Sequence, residues 1–366
     1  MRRICFVIFA VVMLSEISVA QTHIPGGDLT GVLSVSGSPY YIDGDIHIPT
    51  DSSLVIEPGC SLIFTDTFAF YIDSNAVLRA IGTETDSIYF VPEDTGIGWK
   101  GIKFIHSAER CTLSYCRVEY SRYGGIYCDN SSPTITHNTI ANNSTHWSGG
   151  GIACEDSSFP AIMNNIIKNN GADWYGSGIY CQYSSPVIVS NLILENEVYG
   201  GSGGGIYCEH SSPLIMNNIV IYNRAYYDGG GIRCDGGLPV VENNEIVGNE
   251  ARSGGGIFCV HSLTIIVNNT IVGNSALCGG GMYYYHSFPI VFNTVLYNNH
   301  AYLEGNEMYV DFDFCEYWGD TSPCTVFVAY PVVDRAGCFV RDSGGIGPGS
   351  VIIWGAGNIA VAYTHL

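Results

Sequence analysis

Segments of the form Gly-Ile-x-Cys, or close variants of it, recur in this sequence every 25 to 27 residues, and most of them have an aromatic residue at x. Five of seven x positions are aromatic: Tyr127, Tyr180, Tyr207, Phe258 and Tyr283. Rings repeated along one surface could stack on sugar rings, so these five residues are the candidate ligand-binding set. The same rings could instead serve the fold, because strands favour aromatic residues and neighbouring rings stabilise a sheet.

Charged residues accompany these rings and suggest a second chemistry. The candidate catalytic set is Asp129, Glu155, Glu209, Arg233 and Asp235, in which Arg233 is the only cation identified on this face. Carboxylates on neighbouring repeats would lie near 5 Å apart, about the separation found in retaining glycoside hydrolases. Any two acids on adjacent repeats would meet that condition, so the spacing alone is weak evidence for catalysis.

No metal or cofactor site is expected. His210, His261 and His286 share one column of the repeat, but only the last two lie on adjacent repeats. Two ligands make a weak metal site, so we interpret the column as histidines in solvated turns.

The segments belong to a repeat with seven regular copies. One column contains Cys128, Cys154, Cys181, Cys208, Cys234 and Cys259, followed by Tyr284. A second column contains Asn138, Asn165, Asn191, Asn218, Asn244, Asn269 and Asn293. A third, five residues later, contains Asn143, Asn170, Asn196, Asn223, Asn249, Asn274 and Asn298. Degenerate copies at 101–121 and 307–310 flank the regular ones.

The repeat predicts a parallel solenoid of strands. Ile and Cys stand two residues apart and therefore point to the same face of a strand. Each copy has three short apolar stretches separated by Gly, Ser-Pro and Asn, and none has a helical period. We expect an all-β fold of ten to twelve coils, each of about 25–27 residues, with Ile and Cys inside and Asn stacked at the bends. A leucine-rich repeat would require a tighter leucine pattern, and calcium-binding nonapeptides would require G-G-x-G-x-D.

The repeats resemble the parallel β-helix repeats of the pectin-lyase-like superfamily. Their G-G-x-I and N-x-x-N elements are also similar to repeats of polymorphic outer-membrane proteins. The stretch from Tyr40 to GWKGIKF at Gly98 resembles the opening coils of such helices. The resemblance implies a single-stranded right-handed β-helix, in which enzymes use the groove over the first sheet. The paired-aspartate and Arg-x-Lys motifs of polygalacturonases are missing from this sequence.

Four segments are predicted along the chain. Residues 1–20 form a signal peptide, with Arg2 and Arg3 before the apolar stretch Ile4 to Leu14 and small residues before the cut. Residues 21–100 form an N-terminal cap and opening coils, and 101–310 form the regular coils. Residues 311–366 form irregular C-terminal coils. Two interpretations of this segment stay open: its end is truncated, or the protein attaches to the surface without a familiar motif.

The net charge restricts the partners that the protein can bind. Lys+Arg number 14 and Asp+Glu 34, giving a net charge of −20, which excludes nucleic acid and anionic lipid as partners.

Of the 14 cysteines, 13 follow the signal peptide, so at least one is unpaired within the chain. The cysteine column is expected to hold buried thiols. Cys315, Cys324 and Cys338 are better disulfide candidates, with their pairing open.

Together these features predict an exported protein, secreted or on the cell surface, with no membrane span after signal removal. Its expected role is non-catalytic: a structural or adhesive rod, or one that binds polysaccharide or another surface component. The alternative is a polysaccharide lyase or glycoside hydrolase acting over the first sheet, and a third class is a spacer without ligand. An exposed aromatic column would favour a binding role. A column covered by turns such as 171–177 and 197–203 would favour a spacer.

Overall fold

The structure is a computed structural model that describes residues 21–287 and 289–311 and three later strands at 325–329, 350–354 and 360–362. The predicted signal peptide and Cys315, Cys324 and Cys338 lie outside the described residues. Over the described ranges, no helix has the length and apolar character needed to cross a membrane.

The described chain forms a parallel β-solenoid of about 11 coils, confirming the predicted fold class. Each coil contributes one strand to each of three sheets. Sheet 1, which carries the Ile-x-Cys segments, contains among the described residues the strands Gly27–Asp28, Ile46–Ile48, Phe70–Ile72, Ile102–Ile105, Ile126–Asp129, Ile152–Glu155, Ile179–Gln182, Ile206–Glu209, Ile232–Asp235, Ile257–Val260, Met282–Tyr285 and Met308–Asp311.

The other two sheets complete each coil. Sheet 2 contains, in the described part of the chain, Gly31–Leu33, Ser53–Ile56, Val77–Ile81, Thr112–Ser114, Thr134–Thr136, Ala161–Met163, Val187–Val189, Leu214–Met216, Val240–Glu242, Ile265–Val267, Ile290–Phe292, Thr325–Ala329, Ser350–Trp354 and Ala360–Ala362. Sheet 3 contains, over the same residues, Thr22–Ile24, Tyr40–Ile42, Ser61–Phe64, Ile88–Pro92, Cys116–Glu119, Thr139–Ala141, Ile166–Lys168, Leu192–Leu194, Ile219–Ile221, Glu245–Val247, Thr270–Val272 and Val295–Tyr297. A short 3₁₀ helix, Val35–Gly37, lies in the opening coils.

Short strands also form in the loops that lead from sheet 3 back to sheet 1. Four of them pair as one small sheet: Ser144–Thr145, Gly171–Ala172, Glu197–Val198 and Arg224–Ala225. Ser275–Cys278 and His300–Glu304 pair in later coils. These loops are therefore ordered extensions of the solenoid that stack from coil to coil like the main sheets.

Strand register follows the sequence repeat. Cys128 pairs with Cys154, 26 residues later, and Cys181 pairs with Cys208, 27 residues later. Because register partners share a face, the inward isoleucines and cysteines of successive coils stack on one another. Cys128, Cys154, Cys181, Cys208, Cys234 and Cys259 are all buried free thiols, as predicted. Burial raises the pKa of the Cys128 and Cys259 thiols, so these groups behave as small apolar side chains.

Hydrogen-bonded asparagine columns stabilise the bends on either side of sheet 3. Asn218 illustrates the pattern, because its Oδ1 accepts from the main-chain N–H (2.9 Å) and Nδ2 (3.0 Å) of Asn191. Its own Nδ2 donates to the Ile188 carbonyl (2.9 Å) and to Asn244 Oδ1 (3.0 Å). Every polar atom of the amide is thus satisfied in a dry site, where an unpaired one would be costly.

The last members of the two columns differ from the sequence prediction, which placed Asn293 and Asn298 there. The structure instead places Thr294 and Asn299 in the columns, where they accept from the main-chain N–H of Asn269 and Asn274, respectively. Asn293 and Asn298 are exposed corner residues with φ of 46° and 54°. Asparagine tolerates this left-handed conformation, so the residue type recurs in two roles that sequence spacing does not separate.

Candidate functional site

The five aromatic residues predicted as a ligand-binding set do lie in one line on the outer face of sheet 1. The rings of Tyr180 and Tyr207 are stacked 5.6 Å apart, and those of Phe258 and Tyr283 are 5.1 Å apart. Ala153 separates Tyr127 from Tyr180 in this line. The periodic spacing therefore predicted the alignment of these side chains correctly.

The column is nevertheless largely covered. Tyr180 is 4% exposed, Tyr207 3% and Phe258 6%, so three of the five rings in the candidate ligand-binding set are covered. The loops from sheet 3 fold over them: the Tyr175 ring lies 5.0 Å from that of Tyr207. Tyr127 and Tyr283 are half-buried. In this state a sugar ring has no access to the faces of the three central rings.

Glycines make this close cover feasible. Gly203, four residues before Tyr207, has φ of 74°, and a Cβ there would clash with the Cβ of Tyr207. Gly176 has the same relation to Tyr180, and Gly254 to Phe258. A loop residue without a side chain is therefore needed wherever the loop crosses the base of a column side chain.

The buried tyrosines account for the acidic residues beside them. Each hydroxyl donates to a carboxylate on the following coil: Tyr127 to Glu155 (2.9 Å), Tyr180 to Glu209 (2.6 Å) and Tyr207 to Asp235 (3.2 Å). A covered hydroxyl needs an acceptor, and the carboxylate supplies a strong one. Burial raises the pKa of Glu155, while the hydrogen bond from Tyr127 opposes that rise.

Arg233 is held by its own network in the middle of the column. Nη1 donates to Asp228 (3.0 Å) and Ser202 (2.7 Å), and Nη2 donates to Asp235 (2.9 Å). The guanidinium carbon lies 5.0 Å from the ring centroid of Tyr207 and 5.3 Å from that of Phe258. Only 14% of the Arg233 side chain is exposed. Its charge is thus neutralised and enclosed by the fold.

The candidate catalytic residues form two groups. Asp129 is the register partner of Glu155, and Glu209 is the register partner of Asp235, as the repeat predicts. Two intervening strand pairings separate Glu155 from Glu209, which at about 4.8 Å each puts roughly 10 Å between them along the solenoid. The five residues therefore do not converge on one point.

A second cation on this face was missed in the sequence. Lys103 is the register partner of Tyr127, so Arg233 is not the only cation of the column. Its Nζ donates to the Tyr123 carbonyl (2.7 Å) and lies 5.5 Å from the Tyr127 ring centroid. Burial lowers the pKa of Lys103 to about 8. The degenerate copy at Gly101 contained the necessary signal, because its GIKF segment puts Lys103 at the x position.

Exposed aromatic residues occur on the loops instead. We call the following set the aromatic strip: Trp147, Trp174, Tyr199, Tyr226, Tyr227 and Tyr302. Trp147 is 73% exposed and Tyr302 70%. Sequence reasoning missed these residues because their positions vary from loop to loop. The available signal was an aromatic residue shortly before the glycines that precede the Ile-x-Cys segment in four successive repeats, beginning with His146-Trp147.

The short loop strands position the strip. Val198 and Ala225 are register partners and are buried, so Tyr199 and Tyr226, which follow them, face outward. Continued pairing through Glu250, Ser275 and His300 brings later loops into the same line. The strip spans seven coils, which at about 4.8 Å per coil gives a length of about 29 Å.

A groove of about 360 Å³ lies at the C-terminal half of the strip. Tyr199, Tyr226, Leu277 and Tyr302 contribute apolar surface to it, and Arg252 contributes a cation. At one edge Arg224 pairs with Glu197 (3.2 Å) and more loosely with Glu250 (4.0 Å). The groove thus combines ring faces with hydrogen-bonding groups, a composition suited to a ligand that is both apolar and polar.

Comparison with protein families agrees with this architecture. The family model for the right-handed β-helix region matches residues 45–200, 93–237 and 175–301. The chain belongs to the right-handed β-helix family. No curated protein and no solved structure gives a significant match. Membership fixes the fold of this β-helix, but the fold supports many activities, so function has to be argued from its surfaces.

The β-helix therefore presents two aromatic surfaces of different character. On sheet 1 the rings are covered and bonded through their hydroxyls to carboxylates. On the loops the rings are open to solvent beside a groove. Within the described residues, no cluster of three or more His, Cys, Asp or Glu side chains has a metal-binding arrangement.

Proposed function

We propose that this β-helix is an exported, non-catalytic surface rod that binds polysaccharide along its aromatic strip. The observation that carries the proposal is the line of exposed rings from Trp147 to Tyr302. Aromatic surface left open to water on a rigid scaffold is a feature of binding sites rather than of packing. The strip lies along the solenoid axis, which suits a ligand that is itself long and repetitive.

Two further features support a sugar polymer as that ligand. The strip offers flat ring faces at intervals of one or a few coils, and stacked aromatic faces suit the apolar faces of sugar rings. Beside the rings stand groups that exchange hydrogen bonds with hydroxyls, such as Arg224 and Glu250. The satisfied asparagine columns keep the coils in fixed register, so binding would order little of the protein.

The covered column argues for a non-catalytic role. Glu155, Glu209 and Asp235 each accept a tyrosine hydroxyl, and Arg233 is bound by two carboxylates. A catalytic acid or base must reach the proton that it transfers, and these groups already have internal partners. The sheet-1 residues thus serve the fold in this proposal, while the strip binds.

The test is a glycan-binding screen on residues 21–366 with matched variants. The strip variant carries Trp147→Ala, Trp174→Ala and Tyr226→Ala, and we expect it to lose at least ten-fold in affinity for any bound glycan. The control carries Tyr183→Ala, Tyr222→Ala and Tyr297→Ala, which remove three exposed rings from other positions of the coils, and it should bind like the wild type. Equal loss in both variants, or no loss in the strip variant, would refute the proposed surface.

One observation favours the enzymatic alternative, a polysaccharide lyase or glycoside hydrolase acting over sheet 1. Lys103 has a pKa lowered to about 8 and lies beside Tyr127, which bonds to Glu155. Each glycan that binds should therefore be assayed for new reducing or unsaturated ends. Product that disappears in Lys103→Met or Glu155→Gln would replace the non-catalytic proposal. Failure to bind any glycan would leave a spacer or a protein-binding rod.

A further inference from the structure

The outer face of sheet 2 changes character along the solenoid. In the earlier coils one column of outward register partners is polar at Arg79, Thr112 and Thr134. From the next coil onwards the same column is apolar in six successive strands: Ala161, Val187, Leu214, Val240, Ile265 and Ile290. A strand with one face open to solvent normally alternates apolar and polar residues, and these six do not.

A second column lies beside the first, two residues later in each strand. It begins at Met163 and ends at Phe292, and its only charged member is Glu242. Three exposed residues, each two places before its strand, widen the surface: Phe159, Leu238 and Leu263. We call the two columns and these three residues the apolar face. Exposed apolar surface of this extent marks an interaction site.

The apolar face is large enough for a specific protein–protein contact. At about 4.8 Å per strand it is about 24 Å long, and at about 3.3 Å per residue it is about 13 Å wide. With side-chain width included, two such faces in contact would bury roughly 1,000 to 1,200 Å² in total, which meets the lower limit for a specific interface. Val187 is 40% exposed and Ile290 49%, so the described residues leave both ends of the column open.

Charge makes this surface suitable for contact between two copies of the chain. The net charge is −20, so two copies repel each other wherever their carboxylates meet. Outward positions of sheet 1 include Asp129, Glu155 and Glu209. The apolar face has Glu242 alone, at the end of its strand beside the exposed corner residue Asn243. Contact through this face therefore adds little repulsion.

We propose that two copies of this β-helix associate through their apolar faces. Side chains repeat at about 4.8 Å along both copies, so those of one face fit between those of the other at every coil, as in two sheets packed about 10 Å apart. A partner without such repeats would match this period at only a few points. The contact is self-complementary, which is the geometry of a two-fold dimer.

The proposed dimer leaves the aromatic strip open. Each coil runs from sheet 1 through sheet 2 to sheet 3, so the loops from sheet 3 back to sheet 1, which carry the strip, lie opposite sheet 2. Two copies joined through sheet 2 would present two strips. The inference concerns a different surface from the proposed function and does not depend on glycan binding.

The experiment measures the mass of residues 21–366 by sedimentation equilibrium over a hundred-fold range of protein concentration. We expect a concentration-dependent dimer at micromolar concentrations. Leu214→Lys should raise its dissociation constant at least ten-fold, because the contact would bury a charge against apolar side chains. Thr112→Lys makes the same kind of change in the polar part of the same column and should leave dimerisation unchanged. Leu214→Thr, which keeps a strand-forming residue, should weaken the dimer by less and tests the face even if the lysine variant does not fold.

Several outcomes would overturn the inference. A dimer that survives both Leu214 substitutions must use another surface. A wild type that is monomeric at every concentration has no such contact. In that case, flotation with phosphatidylcholine vesicles would assign the face to lipid. A monomer destabilised by Leu214→Lys, but not by Thr112→Lys, would show that another segment of the same chain covers it.

Discussion

Tyr207 and Tyr226 stand 19 residues apart, within a single coil of the solenoid, yet their surroundings are opposite. Tyr207, on sheet 1, is 3% exposed, whereas Tyr226, on the following loop, is 61% exposed. The first donates its hydroxyl to Asp235 and stacks on Tyr180. The second faces solvent at the rim of a groove.

The difference shows that the loops decide which aromatic surface is available. A loop that crosses sheet 1 with glycine at its closest point can lie directly over a ring, as Gly203 does at Tyr207. The covered hydroxyl then requires a partner, and the carboxylates of the column provide it. Acidic residues that look catalytic in the sequence thus have a structural reason to be present.

The largest expected contrast comes from removing one ring of each kind. Tyr207→Ala should lower the free energy of unfolding by about 3 to 5 kcal/mol, because it leaves a cavity between Tyr180 and Arg233. Tyr226→Ala should change it by less than about 0.5 kcal/mol. Urea denaturation of both variants measures the two effects. Similar losses would mean that the loops do not cover sheet 1 in solution.

Adjacent asparagines sharpen the same contrast between covered and open positions. Asn218→Leu should cost about 2 to 3 kcal/mol, because it removes the acceptor of the buried Asn191 N–H and the donor to the Ile188 carbonyl. Asn217→Gly should be nearly neutral, since this corner residue has φ of 56° and an exposed side chain. Thermal melting curves of the two variants measure these effects. An unchanged transition for Asn218→Leu would contradict the hydrogen-bonded asparagine column.

Glycine variants test the cover over the ring itself. Gly203→Ala and Gly273→Ala both place alanine at positive φ, 74° and 65°, and share that backbone cost. Only at Gly203 would the new Cβ clash with Tyr207, whereas none of the surrounding atoms lies within 4 Å at Gly273. Gly203→Ala should therefore cost about 1 to 3 kcal/mol more, measured by urea denaturation. Equal costs would show that the loop does not contact the ring.

The smallest expected effect is a pH dependence from the covered carboxylate of Glu155. Burial raises its pKa in the folded protein, so the folded state binds more protons than the unfolded chain just above the ordinary glutamate pKa. Its contribution to stability therefore falls as pH rises through that window. Relative to wild type, Glu155→Gln should become more stable between pH 4 and pH 7 in denaturation experiments. A constant difference over this range would place Glu155 in a solvated site.

Much of the fold could be predicted from the sequence because the repeat determines it locally. Ile and Cys two residues apart indicated an inward strand face, and the coil length indicated which residues pair. The prediction was wrong at Asn293 and Asn298. Each is an exposed corner residue, and the buried column residue is the next one along the chain, Thr294 or Asn299. Spacing alone cannot separate those roles, since only the left-handed backbone of the corner distinguishes them.

The candidate site was less predictable for a different reason. The alignment of Tyr180 and Tyr207 depends on strand register and was correct, but their exposure depends on loops from other parts of the coil. Lys103 was missed because its repeat copy is degenerate. The aromatic strip was missed because its members follow the loops, whose lengths vary, and not the fixed period of the sheets.

The sequence alone thus determined the solenoid, its coil length, its core columns and the line of side chains on sheet 1, because each follows from short-range periodicity. The tertiary structure decided which rings are covered, which carboxylates already have partners and where the exposed Arg252 lies. Those properties depend on contacts between loops and sheets and between neighbouring coils, where backbone path and side-chain volume determine access. For this β-helix, access separates the aromatic residues that stabilise the fold from those proposed to bind a ligand.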